Sequence, residues 1–146
     1  MEFNVRNAVS GDIPRLVEIE AEAFSGGWTE ASFGLCLSDG KDLLVLESSD
    51  GICGFAVLDR TLGDEAELLN IAILSEMRGK GLSLLLMDKI LESATAHGIG
   101  RIMLEVRVSN AAAIALYNRY GFTKVGLRPG YYKNPTEDAF LMDLLL

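Results

Sequence analysis

Three long apolar runs in the first half of the chain limit the fold more than any other feature. They cover Asp42 to Glu47, Ile52 to Leu58 and Ala66 to Ile73. A strand with one face in water alternates polar and apolar residues, whereas these runs are nearly continuous. The pattern therefore predicts a sheet with both faces covered by helices, in an α/β or α+β fold. The polar stretch Ser48 to Gly51 predicts a hairpin between the first two runs.

Two helices are predicted ahead of these runs, after a first strand near Phe3 to Arg6. Asp12 can cap the first helix, and Pro14 suits its first turn because a proline lacks the N–H that would be unpaired there. The second, shorter helix opens at Thr29 to Ser32. Residues at helical spacing form one face of the first helix, namely Ile13, Leu16, Val17, Glu20 and Phe24.

The second half of the chain predicts two more helices and three more strands. One long helix runs from Gly81 to His97, and Gly98 is suited to end it. After a strand over Ile102 to Val106, Ser109 and Asn110 can cap a short helix over Ala111 to Tyr120. The last two strands are predicted over Phe122 to Val125 and Ala139 to Leu145, joined by a loop that contains Pro129 and Pro135.

Length and charge narrow the class of protein. The chain has 146 residues, which fits a single domain over residues 1–146. Its formal net charge of −8 opposes binding to nucleic acid and favours a basic partner, such as a cationic protein segment or an amine. The longest apolar runs, such as Leu82 to Met87, are too short to span a membrane, and Glu2 and Arg6 interrupt any signal peptide. We expect a cytoplasmic protein that does not bind membranes.

The residues that commonly bind metals or act as nucleophiles are few. Cys36 and Cys53 lie in apolar surroundings and form no Cys-x-x-Cys pair, so they are predicted core residues. The lone histidine, His97, gives neither a zinc-ligand set nor a Ser/His/Asp arrangement, and its place in the last turn of a helix explains it. We therefore expect no metal site.

A glycine-rich turn links the third apolar run to the long helix. Its residues are Arg78-Gly79-Lys80-Gly81-Leu82-Ser83. Unpaired N–H groups at a helix N-terminus can bind a phosphate, but a tight turn that needs glycine only for its backbone angles explains the same residues equally well. It is not a P-loop, because Leu74 stands where the first glycine is required, and Leu84 stands at the third glycine of the dinucleotide fingerprint.

This turn, together with a second stretch, resembles the GCN5-related N-acetyltransferase (GNAT) superfamily. Arg78, Gly81 and Ser83 occupy the positions of its acyl-CoA signature Arg/Gln-x-x-Gly-x-Gly/Ala, and the serine departs from the glycine or alanine of the last position. The stretch from Leu104 to Phe122 resembles that of the bacterial ribosomal-protein-alanine N-acetyltransferases. The similarity extends to Asn70-Ile71-Ala72-Ile73, to the tail from Arg128 to Met142 and to Trp28, although Gly27 replaces the proline common before that tryptophan.

The resemblance implies a single GNAT fold with a central, mostly antiparallel mixed sheet and helices on both faces. It also implies transfer of acetyl from acetyl-CoA to the N-terminal α-amine of a protein, an alanine of a ribosomal protein, by direct attack in a ternary complex. Such an amine has a pKa of about 7.7–8 against about 10.4 for lysine, so a carboxylate suffices as its base.

The family roles fall on specific residues of this chain. Glu105 takes the position of the general base and Tyr117 that of the general acid, whereas the residues alone suggest a solvated strand end and a core aromatic. Trp28, Tyr131 and Tyr132 are placed at the acceptor. The residues implied at acetyl-CoA are Ile71, Ala72, Ile73, Arg78, Gly79, Lys80, Gly81, Leu82, Ser83, Leu84, Asn110 and Tyr117.

Two other functions share these features. An acetyltransferase for a small amine or antibiotic would have the same acetyl-CoA site with a different acceptor groove. A non-catalytic acyl-CoA-binding module would need the glycine-rich turn but neither Glu105 nor Tyr117. The presence of both residues, and the tail from Tyr131 to Met142, favour the protein acetyltransferase.

Overall fold

The structure, a computed structural model, describes residues 2–24 and 27–146. It confirms a mixed α/β fold built on one seven-stranded sheet. The strands are β1 Asn4–Asn7, β2 Asp42–Ser48, β3 Gly51–Leu62, β4 Glu65–Ile73, β5 Arg101–Arg107, β6 Thr123–Tyr132 and β7 Glu137–Leu145. The α-helices are α1 Ile13–Phe24, α2 Glu30–Ser38, α3 Leu82–Ala96 and α4 Ala111–Arg119, and short 3-10 turns cover Ser10–Asp12 and Ser75–Met77.

The strand order across the sheet is β1-β2-β3-β4-β5-β7-β6. Strands β4 and β5 pair in parallel, and the other neighbours pair antiparallel. A parallel pair needs a long connection, which α3 provides. The predicted hairpin is present, because Ser48 and Gly51 close the turn between β2 and β3.

Helices cover the centre of the sheet on both faces, as the continuous apolar runs predict. Helices α1 and α3 both pack on β3 and β4. Eight consecutive residues of β3, Ile52–Asp59, are buried, which requires cover on both faces. Cys36 and Cys53 are buried and free, so their predicted place in the core is confirmed. Within residues 2–24 and 27–146, no helix combines the length and the apolar character needed to cross a membrane.

Strands β4 and β5 separate halfway along their length. Their pairing ends at Leu68 and Leu104. On its other edge β4 stays paired with β3, but a register shift there leaves Leu69 as an extra residue between Leu68 and Asn70. A bulge of this kind bends its strand, so residues 69–73 of β4 and 105–107 of β5 diverge and leave an opening in the sheet.

The predicted loop after Val125 is wrong. Strand β6 continues to Tyr132 and contains Pro129, so only residues 133–136 connect it to β7. The strand lies at the edge of the sheet, where a proline is tolerated because its missing N–H costs no ladder hydrogen bond. Register shifts after Lys124 and after Arg128 show that the pairing with β7 is irregular.

Asp12 also differs from its prediction as a helix cap. Its carboxylate accepts a hydrogen bond from the N–H of Val9, 2.8 Å away, at the start of the 3-10 turn that precedes α1. It also pairs with the guanidinium of Arg6 at 2.9 Å, and this arginine holds the pKa of Asp12 below its ordinary value. Arg6 belongs to β1, so this partner could not be assigned from local helix signals.

Candidate active site

Two adjoining cavities open where β4 and β5 diverge. The larger has a volume of about 810 Å³ and the smaller about 370 Å³. They share Ala23, Ile71 and Asn110 on their walls, so they form one continuous depression. A ligand in the smaller cavity can therefore meet a second ligand in the larger one.

The smaller cavity contains the glycine-rich turn. Gly79 and Gly81 have φ values of +77° and +72°, a left-handed conformation that favours glycine. The N-cap of α3 is Gly81, which has no side chain to cap the helix, so the first N–H groups and the positive end of the helix dipole are available to an anion. The predicted acetyl-CoA residues on its wall are Ile71, Ala72, Ile73, Arg78, Gly79, Gly81, Leu82, Ser83 and Asn110, whereas Lys80, Leu84 and Tyr117 are not on it.

Asn110 connects the two cavities. It is the N-cap of α4, where its side-chain oxygen accepts a hydrogen bond from the N–H of Ala113 at 3.1 Å. The predicted cap is confirmed, and the same residue lies on the wall of both cavities. Residues Ala112, Ala113 and Leu116 of α4 add an apolar side to the smaller cavity.

Glu105 lies on the wall of the larger cavity, on the part of β5 that has left β4. Its side chain is 18 % exposed, so it is not a solvated strand end. The carboxylate oxygen Oε1 lies 3.4 Å from Nη1 of Arg128. The other oxygen, Oε2, is buried without a hydrogen bond from the described residues. A buried acceptor without a partner is unfavourable, so this oxygen is suited to accept a proton or a hydrogen bond from a ligand.

Tyr117 lies on the wall of the same cavity and is 6 % exposed. Its ring packs against Phe122, with the ring centroids 5.7 Å apart. Burial raises the pKa of the Tyr117 hydroxyl well above its ordinary value, and the nearby Tyr132 raises it further. The hydroxyl therefore keeps its proton at neutral pH and is available as a donor.

The three aromatic residues predicted at the acceptor occupy different places. Trp28 and Tyr132 lie on the wall of the larger cavity, but Tyr131 does not. Tyr131 is 44 % exposed and lies under the guanidinium of Arg128. The neighbouring Glu105 carboxylate raises the pKa of the Tyr131 hydroxyl, and burial adds to the shift. The cavity therefore has two of the three predicted aromatic residues on its wall.

Sequence reasoning missed the ion pair that closes one end of the larger cavity. The guanidinium of Arg107 donates to Oε1 of Glu137 and to the carbonyl oxygens of Lys133 and Pro135, each at 3.1 Å. The other oxygen of Glu137 accepts from the N–H of Ser109 at 2.7 Å. These contacts hold the β6–β7 turn against the end of β5. No local signal indicates them, because their partners are 26 to 30 residues apart.

Glu20 is a second missed residue. It lies on α1, is only 2 % exposed and forms part of the wall of the larger cavity. Its carboxylate accepts from the side-chain amide of Asn70 at 2.8 Å and from the N–H of Trp28 at 3.2 Å. The sequence does carry a signal for it, because a glutamate at an apolar position of an amphipathic helix is unusual. Among the described residues no group of His, Cys, Asp and Glu is placed to hold a metal.

Comparisons with known proteins agree with this geometry. The sequence model of the acetyltransferase (GNAT) family matches residues 13–122. The [ribosomal protein bS18]-alanine N-acetyltransferase of Salmonella typhimurium is 36 % identical over 91 % of this chain and 90 % of its own length. The protein of that name from Haemophilus influenzae is 39 % identical over 90 % of each chain.

A solved structure gives the same result. The crystal structure of the ribosomal-protein-S18-alanine N-acetyltransferase from Escherichia coli superposes with a TM-score of 0.90 at 32 % identity, over 99 % of this chain and 94 % of that chain. This chain therefore combines the fold, the separated strands and the glycine-rich turn described above with similarity to these acetyltransferases along nearly its whole sequence. The chain belongs to the GNAT family of acetyltransferases.

Proposed function

We propose that this protein transfers the acetyl group of acetyl-CoA to the α-amine of a protein N-terminus, with the N-terminal alanine of ribosomal protein bS18 as its acceptor. One observation carries the proposal: Glu105 and Tyr117 lie on the wall of the same cavity. Glu105 has a buried oxygen without a hydrogen bond from the described part of the chain, and Tyr117 is a buried phenol that keeps its proton. The names of relatives that share over a third of their residues with this chain support the choice of acceptor.

The smaller cavity fits the pyrophosphate and pantetheine of acetyl-CoA. An added Cβ at Gly79 would meet no atom within 4 Å, so the turn has open space above it. The N–H groups that begin α3 can bind the pyrophosphate. Residues Ile71 to Ile73 lie beyond the last β4–β5 pair, so this edge of β4 can pair with the pantetheine amides and polarise the acetyl carbonyl.

Gly81→Val should raise the dissociation constant of acetyl-CoA at least tenfold, measured by calorimetry. A branched side chain there blocks approach to the helix N-terminus, and each charge-assisted hydrogen bond lost is worth about 1.5–3 kcal/mol. Gly98→Val is the matched control, because Gly98 has the same φ of +72° at the other end of α3 and is not on either cavity wall. Equal affinity in folded Gly81→Val and Gly98→Val proteins would place the cofactor elsewhere.

The chemistry needs one base and one acid. Acetyl-CoA supplies an activated thioester when bound. Glu105 accepts the proton that the α-amine loses as its nitrogen bonds to the acetyl carbon. Tyr117 donates its proton to the sulfur as the carbon–sulfur bond breaks, which leaves an amide and free CoA. Glu105 then returns its proton to Tyr117 through solvent, so both groups regain their starting state.

Direct attack by the amine fits the cysteine positions. An acyl-enzyme route would need a nucleophile at the thioester. Cys36 and Cys53 are in the core, where burial raises the pKa of each thiol, and neither is on a cavity wall. Free, buried cysteines also fit a reducing compartment, which supports a cytoplasmic location for the protein.

The acceptor is tested with one peptide that carries both an N-terminal alanine and an internal lysine. Mass spectrometry after reaction with acetyl-CoA should place the acetyl group on the α-amine, because that amine is more readily deprotonated near neutral pH. The same peptide with a blocked N-terminus is the control and should not react. Modification mainly at lysine, or faster turnover of spermidine, would instead support a small-amine acetyltransferase. Tight acetyl-CoA binding without any turnover would support a binding module.

A further inference from the structure

Glu20 has no part in the proton transfers proposed above, yet it is a carboxylate in the wall of the larger cavity. It is 2 % exposed, and the two groups that donate to it among the described residues, the Asn70 amide and the Trp28 N–H, are uncharged. A buried carboxylate without a cation beside it is expensive, so an apolar residue at this position of α1 would favour stability. The arrangement is therefore better explained by a role in the cavity than by packing.

Glu20 determines the orientation of the Asn70 side chain. The side-chain amide nitrogen of Asn70 donates a hydrogen bond to Oε1 of Glu20 at 2.8 Å. Because the nitrogen of the amide faces Glu20, the amide oxygen Oδ1 is turned away from it and is not engaged by this contact. Asn70 lies on the cavity wall beside the bulge at Leu69, on the part of β4 that has separated from β5.

The opposite side of this opening carries Glu105. Pairing between the two strands ends at Leu68 and Leu104. Asn70 lies two residues beyond the last pair on β4, and Glu105 lies one residue beyond it on β5. Both lie on the wall of the larger cavity. A primary amine that attacks as a neutral group has two N–H bonds. One proton goes to the base after attack, and the other N–H needs an acceptor that holds the lone pair toward the thioester.

We propose that the Asn70 amide oxygen is this second acceptor, which binds the N–H of the incoming primary amine, and that Glu20 is a positioning residue that holds the Asn70 amide in the required orientation. The inference rests on the proposed placement of the acceptor in the larger cavity. Glu20 also accepts a hydrogen bond from the Trp28 N–H, and this second contact fixes the segment before α2 against the same cavity.

The test compares the variants Asn70→Leu, Asn70→Ala and Glu20→Leu with wild type on the alanine peptide. We expect kcat/KM for the peptide to fall about 10- to 100-fold in each, since a hydrogen bond to a charged or ionising group is worth about 1.5–3 kcal/mol. The dissociation constant of acetyl-CoA, measured by calorimetry, should stay unchanged. The dissociation constant of the peptide from the CoA-bound protein should rise. Glu18→Gln, an exposed carboxylate on the same helix, is the control and should match wild type.

Two further variants separate positioning from simple structural support. Glu20→Gln should retain most activity, because its amide oxygen can still accept from Asn70. Glu20→Leu should cost less in an Asn70→Leu background than in wild type, because the contact with Asn70 is already lost there and only the contact with the Trp28 N–H remains to be removed. Additive losses, an equal loss of acetyl-CoA affinity, or kcat/KM within threefold of wild type for folded Asn70→Leu or Asn70→Ala would overturn the inference.

Failure of this inference about Asn70 can be distinguished from failure of the proposed function. If wild type acetylates a small amine and not the peptide, the acceptor proposal fails. The same variants are then compared on that amine, because recognition by Asn70 requires only a primary amino group. Wild-type protein that binds acetyl-CoA but acetylates neither kind of acceptor overturns both proposals.

Discussion

Tyr117→Phe should lower kcat by about 10²- to 10⁴-fold, the usual contribution of general acid catalysis, or about 2.7–5.5 kcal/mol of activation free energy. The ring remains, so its packing against Phe122 and the shape of the cavity should persist. Only the proton that the buried hydroxyl supplies to the departing sulfur is lost. Acetyl-CoA affinity, measured by calorimetry, should change much less than kcat.

Tyr120→Phe is the matched control for this variant. Tyr120 follows α4 directly, and its hydroxyl donates to Asp88 at 2.7 Å, away from both cavity walls. Its removal should cost about 1 kcal/mol of stability and leave kcat near that of wild type. If kcat of Tyr117→Phe stays within threefold of wild type, Tyr117 is not the acid.

Glu105→Gln should lower kcat on a comparable scale, about 10²- to 10⁴-fold, because an amide cannot accept the proton of the attacking amine. Gln keeps the shape of the side chain, so acetyl-CoA affinity should be preserved. Steady-state kinetics on the alanine peptide measures kcat, and calorimetry measures the affinity for acetyl-CoA.

Glu67→Gln provides the control on the neighbouring strand. Glu67 is a half-buried carboxylate of β4 that is not on either cavity wall. Burial raises the pKa of Glu67, and the charges of Glu105 and Asp59 raise it further. NMR titration should therefore show a lower Glu67 pKa in Glu105→Gln than in wild type. If Glu67→Gln lowers kcat as much as Glu105→Gln does, the base assignment is wrong.

Local signals in the sequence were sufficient for most of the secondary structure and for the glycine-rich turn, whereas the assignment of this turn to acetyl-CoA came from family resemblance. Helix α3 and its final glycine, Gly98, follow from apolar spacing and from a φ of +72° that glycine adopts easily. The covered sheet follows from continuous apolar runs, which only a doubly covered strand such as β3 requires. In each case the physical cause acts within a few residues, so it is visible in the sequence. The roles of Glu105 and Tyr117 came from family resemblance, and they stay predictions until the variants are measured.

Tertiary structure decided how the larger cavity is built. Glu20 and Asn70 are 50 residues apart, and Arg107 and Glu137 are 30 apart, so no local pattern can pair them. The length of β6 depends on its pairing with β7, which outweighs the local preference of Pro129 for a loop. The exposure of Glu105 depends on where β4 and β5 stop pairing, which a bulge at Leu69 sets. Hydrogen-bond partners and strand divergence are properties of the packed chain, whereas spacing and turn conformation belong to the sequence itself.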